Sequence, residues 1–257
     1  MISFTTAQWD AWMAAVAYPL ARVLAFVSTA PFFGNFAIPQ RIRLLLGLAI
    51  GFGILPLVTT VPAVEPASGV GLWLLAREIS VGVAMGMVMR IVFAAINMAG
   101  EQIGFQMGLG FAVFYDPQST AQTPVIAQYL SILTMLVFLA VNGHLMMIAT
   151  LAQSFQAIPI GPAALPVAAW SNIVNFGSTI FSAGLLLSLP VTIALLITNL
   201  ALGVLNRVAP QLNLFAIGFP ITIVGGFVIL LVSLNYMAVP LQRLFEEGLR
   251  MMLGFNP

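Results

Sequence analysis

Long apolar runs, broken by very few charges, govern what this chain can become. Six of them occur, at about residues 11–33, 44–61, 70–99, 125–151, 176–205 and 214–239. A run of about 18 or more apolar residues is long enough to cross a hydrocarbon layer roughly 30 Å thick as a helix. A transmembrane barrel instead needs alternating segments of about ten residues. Soluble domains carry about a quarter charged residues, and here the share is 6% against 61% hydrophobic. The expected fold class is therefore an all-α membrane protein of about six hydrophobic helical segments.

Several function classes are disfavoured at once. No cysteine is present, which excludes disulfides, thiolate metal sites and a cysteine nucleophile. All eight cations are arginine and the net charge is +1, so there is no footprint for nucleic acid. The N-terminal stretch has no basic residue before Arg22 and carries Asp10. It is expected to approach a retained first helix rather than to form a secretory signal. Arg41, Arg43 and Arg207 share one face of a six-span layout, so the positive-inside rule predicts that face to be cytoplasmic and the N-terminus outside. Arg243 and Arg250 oppose that reading. The tail from Leu241 onward has apolar residues at helical spacing among mixed charges, and is expected to be an amphipathic interfacial helix.

Arg22, Arg77, Glu78 and Arg90 fall inside apolar runs and Glu101 follows one. Each costs about 2.5–3.5 kcal/mol at bilayer depth on insertion scales. They either line a polar pathway or form buried ion pairs that fix assembly. Arg77 and Arg90 lie about 20 Å apart along a helix, so the third run is too long and too charged to be one clean lipid-facing span. His144 follows Asn142 and Gly143. With no second histidine and no carboxylate at ligand spacing, a hydrogen-bonded structural histidine at a helix bend is expected rather than a proton relay or metal ligand. Gly82 and Gly86 form a small-residue face for close helix approach, and Gly100, Gly104 and Gly108 continue the spacing.

Residues 100–118, GEQIGFQMGLGFAVFYDPQ, suit neither a lipid-facing span nor a solvated loop. Such backbone at membrane depth is tolerated only when buried in protein or lining an aqueous cavity. There is no G-x-S-x-G, P-loop, H-E-x-x-H or nucleotide fingerprint. Glu246 and Glu247 diverge by about 100° on a helix and form no dyad. No catalytic residue, metal ligand or cofactor is expected.

In this order and at this length, a set of strings resembles the FliR family, the flagellar type III export-gate proteins whose injectisome counterparts are the SctT proteins. They are Arg22, PFFGN from Pro31, REISVGVAMG from Arg77, AGEQIGFQMG from Ala99, and Asp116 with Pro117. NGHLMMI from Asn142, Ser154 with Phe155, PIG from Pro159, and NRVAPQLNLFAIGFP from Asn206 complete it. The resemblance implies helical hairpins wound into a hetero-oligomeric gate with FliP and FliQ, joined by FlhB and FlhA, at the flagellar base in the bacterial inner membrane. It implies unfolded export substrates as cargo and no catalysis. It further implies a FliP-like portion over residues 1–160 and a FliQ-like hairpin with the amphipathic tail over 161–257. A loop over about residues 106–122 would plug the pore. Phe105, Met107, Leu109 and Phe111 would seal it, because apolar constrictions close by dewetting, while Gln106, Gly108 and Gly110 complete the segment and the glycines permit opening. Arg22, Arg77, Glu78, Arg90 and Glu101 become assembly contacts. Two other readings stay open: a secondary transporter for a small solute, favoured by Pro190, Pro220, Gly225 and Gly226 as helix interruptions, and a non-conducting membrane scaffold.

Overall fold

The computed structural model describes residues 6–34, 38–110, 124–210 and 214–254. Among these there is no strand, and the elements in order are α1 (Thr6–Thr29), α2 (Gln40–Ile54), a short 3₁₀ turn (Leu55–Leu57) and α3 (Gly69–Gln106). Then follow α4 (Val125–Ala140), α5 (Gly143–Ala157), α6 (Val167–Phe176), α7 (Thr179–Val208) and α8 (Leu214–Leu253). Five helices are long and apolar enough to cross a membrane, and the number is six if a pair bent by 67°, α4 with α5, is one span. This is an all-α membrane protein.

Proline punctuates the helices. Pro39 and Pro166 occupy the N-cap positions of α2 and α6 in extended conformation, which suits a residue unable to donate the hydrogen bond a helix interior needs. Pro19, Pro190, Pro220 and Pro240 lie inside helices. Membrane helices tolerate this because neighbouring helices, hydroxyls and local adjustments satisfy the freed carbonyls.

Two compact units are present. The first comprises Met1–Ile91, Phe138–Gly177 and Phe245–Pro257, the second Val92–Val137 and Ser178–Leu244. Within the first, α1 and α2 form an antiparallel hairpin at close range. A Cβ added to Gly47 would lie 2.7 Å from Leu24 Cδ2, and one added to Gly51 would strike Leu20. α1 and α3 run side by side in the same direction, with Gly82 against the Arg22 carbonyl and Gly86 against Thr29. The small-residue face is thus a helix-packing surface, as its spacing predicts. In the second unit, Gly100 of α3 meets Ala127 of α4, and Ser131 donates to Asn97, so these helices also pair antiparallel.

Three features differ from the sequence expectations. The connector after Ile158 leads into an additional helix, α6, before the fifth apolar run begins. The tail is not a separate helix. It continues α8 without a break, and Phe245, Leu249 and Met252 are buried, with the Phe245 ring 5.1 Å from that of Phe138. Its apolar face is covered by protein, and the charged residues Arg243, Glu246, Glu247 and Arg250 take the other side. Third, the α4–α5 bend of 67° forms at Asn142, which adopts φ 57, but His144 Nδ1 is buried without a hydrogen-bond partner. The bend is as expected, and Nδ1 makes no hydrogen bond. The imidazole instead faces the Phe32 ring at 5.9 Å.

Candidate functional site

Two constructions carry the polar residues, one in each unit. In the first unit, Arg22 of α1 and Glu78 of α3 are both completely buried. Arg22 Nε donates to Glu78 Oε2 at 2.6 Å, and Nη2 lies at the same distance from that oxygen. The remaining N–H groups reach the C-terminal end of α5: Nη1 donates to the Ser154 carbonyl at 3.0 Å and to Ser154 Oγ at 3.1 Å, and Nη2 to the Ile158 carbonyl at 2.9 Å. The guanidinium carbon sits 4.2 Å from the centroid of the Phe155 ring, a cation–π geometry.

Arg77 closes the other side. Its Nη1 donates to Glu78 Oε1 at 2.7 Å and to the Pro159 carbonyl at 3.2 Å, and its Nε donates to the Ala163 carbonyl at 2.9 Å. Trp73 Nε1, one turn earlier on α3, donates to the Pro162 carbonyl at 3.1 Å. A single carboxylate therefore holds two guanidiniums, and these with Trp73 hold the carbonyls of the connector between α5 and α6. Carbonyl groups after a helix end have no intrahelical partner, and in an apolar setting each unpaired one costs several kcal/mol. The three α1 and α3 side chains meet that need, while the one Glu78 carboxylate, shared by two guanidiniums, leaves one positive charge over.

Tyr18 adds a further tie, donating to the Val64 carbonyl at 3.0 Å. Asn97, Ser131 and Thr150 use their polar groups within or between neighbouring helices. Among the described residues no group of histidines or carboxylates could hold a metal ion.

In the second unit, α3 ends at Gln106 in a Schellman arrangement. Leu109 N–H donates to the Gly104 carbonyl at 3.1 Å and Gly108 N–H to the Phe105 carbonyl at 3.0 Å, with Gly108 at φ 83. This is the pair of bonds that closes a helix on a left-handed residue, and glycine takes that conformation without steric cost. Met107 is fully buried in the turn, and Thr222 Oγ1 of α8 lies 3.2 Å from its carbonyl, positioned to donate to it. Gly226 clears a notch for it: a Cβ there would come within 2.6 Å of Met107 Cγ. Phe105 is two-thirds exposed, Gln106, Leu109 and Gly110 are half-buried, and the Gly110 Cα packs beside the Phe105 ring. Phe111 and the rest of the stretch to residue 122, with Asp116 and Pro117, lie outside the described residues.

Arg22, Arg77 and Glu78 are thus brought together, whereas Arg90 and Glu101 are exposed and have no ion-pair partner among the described residues. The intramembrane charges Arg22, Arg77 and Glu78 converge on one buried cluster with Ser154, Phe155 and Pro159, which had drawn attention only as parts of recognisable strings. Residues 13–248 match the family described as Bacterial export proteins, family 1. The chain is 43% identical over 249 residues to the flagellar biosynthetic protein FliR of Escherichia coli K12, covering 96% of this chain and 94% of that one.

The chain belongs to the FliR family.

More distant members agree. The FliR proteins of Aquifex aeolicus and Bacillus subtilis are 32% and 31% identical, over 88% of this chain in each case and 87% and 88% of theirs. A FliR-family chain is a component of bacterial flagellar biosynthesis and export, and the helices above make it a membrane component. What sequence reasoning missed in the cluster is the acceptor side. The carbonyls of Ser154, Ile158, Pro159, Pro162 and Ala163 carry no side-chain signature. Only the density of Pro in IPIGPAALP, which leaves carbonyls without local N–H partners, signals that outside donors are needed.

Proposed function

We propose that this chain is a core component of the flagellar type III export gate in the bacterial inner membrane. In this reading it assembles with FliP and FliQ, is joined by FlhB and FlhA, and passes unfolded flagellar subunits toward the growing filament. The observation that carries the proposal is the match to an export family over residues 13–248, nearly the whole chain. Two physical features fit it. Arg90 is exposed on an apolar helix with no ion partner among the described residues, a costly arrangement in lipid that a companion subunit would relieve. Long apolar faces on α7 and α8, including Leu196, Leu200, Val228 and Tyr236, are likewise uncovered and suit neighbouring helices as well as lipid.

The sealing segment is proposed to start where α3 stops. Phe105, Gln106, Met107, Gly108, Leu109 and Gly110 form its stem and Phe111 continues it, with the FliP-like portion over residues 1–160 and the FliQ-like portion over 161–257. Met107 acts as the fixed point, socketed against Gly226, and Phe105 and Leu109 offer apolar surface to the passage. Deleting residues 106–112 is expected to leave the complex assembled but leaky to ions and small solutes. Unchanged membrane permeability in a fully assembled complex would remove the plug from the proposal. Co-purification with two other small hydrophobic membrane proteins tests the assembly independently, and a solute-binding homo-oligomer would favour a transporter instead.

A further inference from the structure

Beside the buried cluster, in the first unit, lies an open cavity of about 150 Å³ lined by Trp73, Ala76, Arg77, Ser80, Ala164, Leu165 and Trp170. Its chemistry is one-sided. Arg77 is the only charged residue lining it, its side chain is 8% exposed, and its Nε and Nη1 are engaged while Nη2 donates to no described residue. The carbonyls of Pro159, Pro162 and Ala163 are already occupied by Arg77 and Trp73. Glu78 is shared between two guanidiniums, so the local sum is +1. What the wall presents is donor capacity and positive charge, the requirement of an oxyanion, and a guanidinium suits phosphate oxygens geometrically.

The surroundings select the source of that anion. Trp73 and Trp170 flank the cavity and are about half exposed. The parallel register of α1 and α3, set by Gly82 and Gly86, brings Trp9 and Trp12 to the same end of this unit, and both are 55% exposed. Tryptophans of this kind concentrate at the membrane–water boundary. Along α3 away from them runs an exposed apolar stripe, Ile79, Val83 and Met87, each four residues after the last. An anion seated at Arg77 therefore has apolar protein surface leading from it in the direction acyl chains take.

We propose that the Trp73–Arg77–Ser80–Trp170 cavity binds the phosphate of an anionic phospholipid, with the acyl chains lying along the Ile79–Val83–Met87 face of α3. Arg77 Nη2 supplies the free donor, Ser80, whose hydroxyl donates to the Ala76 carbonyl at 2.7 Å, lines the wall beside it, and the two indoles enclose the glycerol region. The inference is independent of the gate assignment and of the plug. Basic pockets between membrane helices are known in general to take anionic head groups, and here the cation is held in place by Glu78 rather than left flexible.

The test uses the full-length chain, with whatever companions co-purify, in mild detergent. Retention of added phosphatidylglycerol and of phosphatidylcholine is measured by native mass spectrometry. The wild-type protein is expected to retain one phosphatidylglycerol at least tenfold more tightly than phosphatidylcholine. Ala76→Phe and, separately, Ala164→Phe fill the cavity from exposed positions without touching the ion-pair cluster. Both are expected to abolish the preference while leaving lipid-free thermal stability unchanged. Equal retention of the two lipids by wild type, or undiminished preference in both filled variants, would overturn the proposal. Displacement of phosphatidylglycerol by millimolar inorganic phosphate alone would also overturn it, because the site would then belong to a soluble anion. Should one variant fail to fold, the other carries the comparison.

Discussion

Replacing Glu78 with alanine is the sharpest probe of the buried cluster. The carboxylate accepts from Arg22 and Arg77 at 2.6 and 2.7 Å and is fully buried. Its loss leaves the fully buried Arg22 and the nearly buried Arg77 as two like charges facing one empty site. Removing one partner of a buried ion pair costs about 3–5 kcal/mol, or about two to almost four orders of magnitude in the folded-to-unfolded ratio. For a chain of this size that corresponds to roughly 6–20 °C in melting temperature. Arg22→Met should be milder, at about 1–3 kcal/mol for the orphaned acceptors. The Glu78–Arg77 pair survives it, and the Ser154 carbonyl still accepts from the Ile158 amide at 2.8 Å. Glu78→Gln, which keeps one acceptor but no charge, should fall between wild type and Glu78→Ala. The assay is thermal or denaturant unfolding of the detergent-solubilised protein, with proteolysis of the 158–163 connector as a local readout. A Glu78→Ala protein melting within about 2 °C of wild type, or Arg22→Met proving the more damaging change, would refute the account.

Close helix approach gives a second expectation. Gly82→Ala puts a methyl against the Arg22 carbonyl and 2.9 Å from Ala25 Cβ, and should cost about 1–3 kcal/mol by overpacking. Gly53→Ala, which meets nothing within 4 Å, should be neutral or stabilising by up to about 1 kcal/mol, and paired melting curves would show it. At the end of α3, Gly108→Val faces both a positive φ and the Phe219 ring at 2.9 Å. It should lower export in a motility assay before it lowers the amount of assembled protein, and normal motility would remove the turn from the mechanism. Asn142→Gly should leave the 67° bend intact and cost little, whereas Asn142→Val should destabilise by about 1–2 kcal/mol because a β-branched residue resists the left-handed conformation, as measured by unfolding.

Much of the fold is legible in the order of residues because membrane helices are a local matter. A run of apolar residues must satisfy its backbone internally, so length and hydropathy place α1, α2 and α7 nearly where they occur. The bend at Asn142–Gly143 and the end of α3 near Gln106 are legible for a related reason: asparagine and glycine are the residues that admit positive φ. The buried cluster was legible only in part. Three charged residues in apolar runs announced that partners must exist, but nothing in their spacing says that Arg22 finds Glu78, 56 positions away, rather than Arg90 or Glu101. Such a pairing depends on the parallel packing of α1 on α3, which the notches at Gly82 and Gly86 permit.

What the sequence by itself determined is the class of the molecule: helices in a membrane, an export family and no disulfide. Tertiary structure alone decided which charges are buried, that the tail prolongs α8 with Phe245 against Phe138, and that Met107 has a socket on α8. The division has a physical cause. Hydrophobic length and backbone conformation are properties of consecutive residues, whereas burial, ion pairing and the satisfaction of loop carbonyls are properties of surfaces that meet only after the chain has folded.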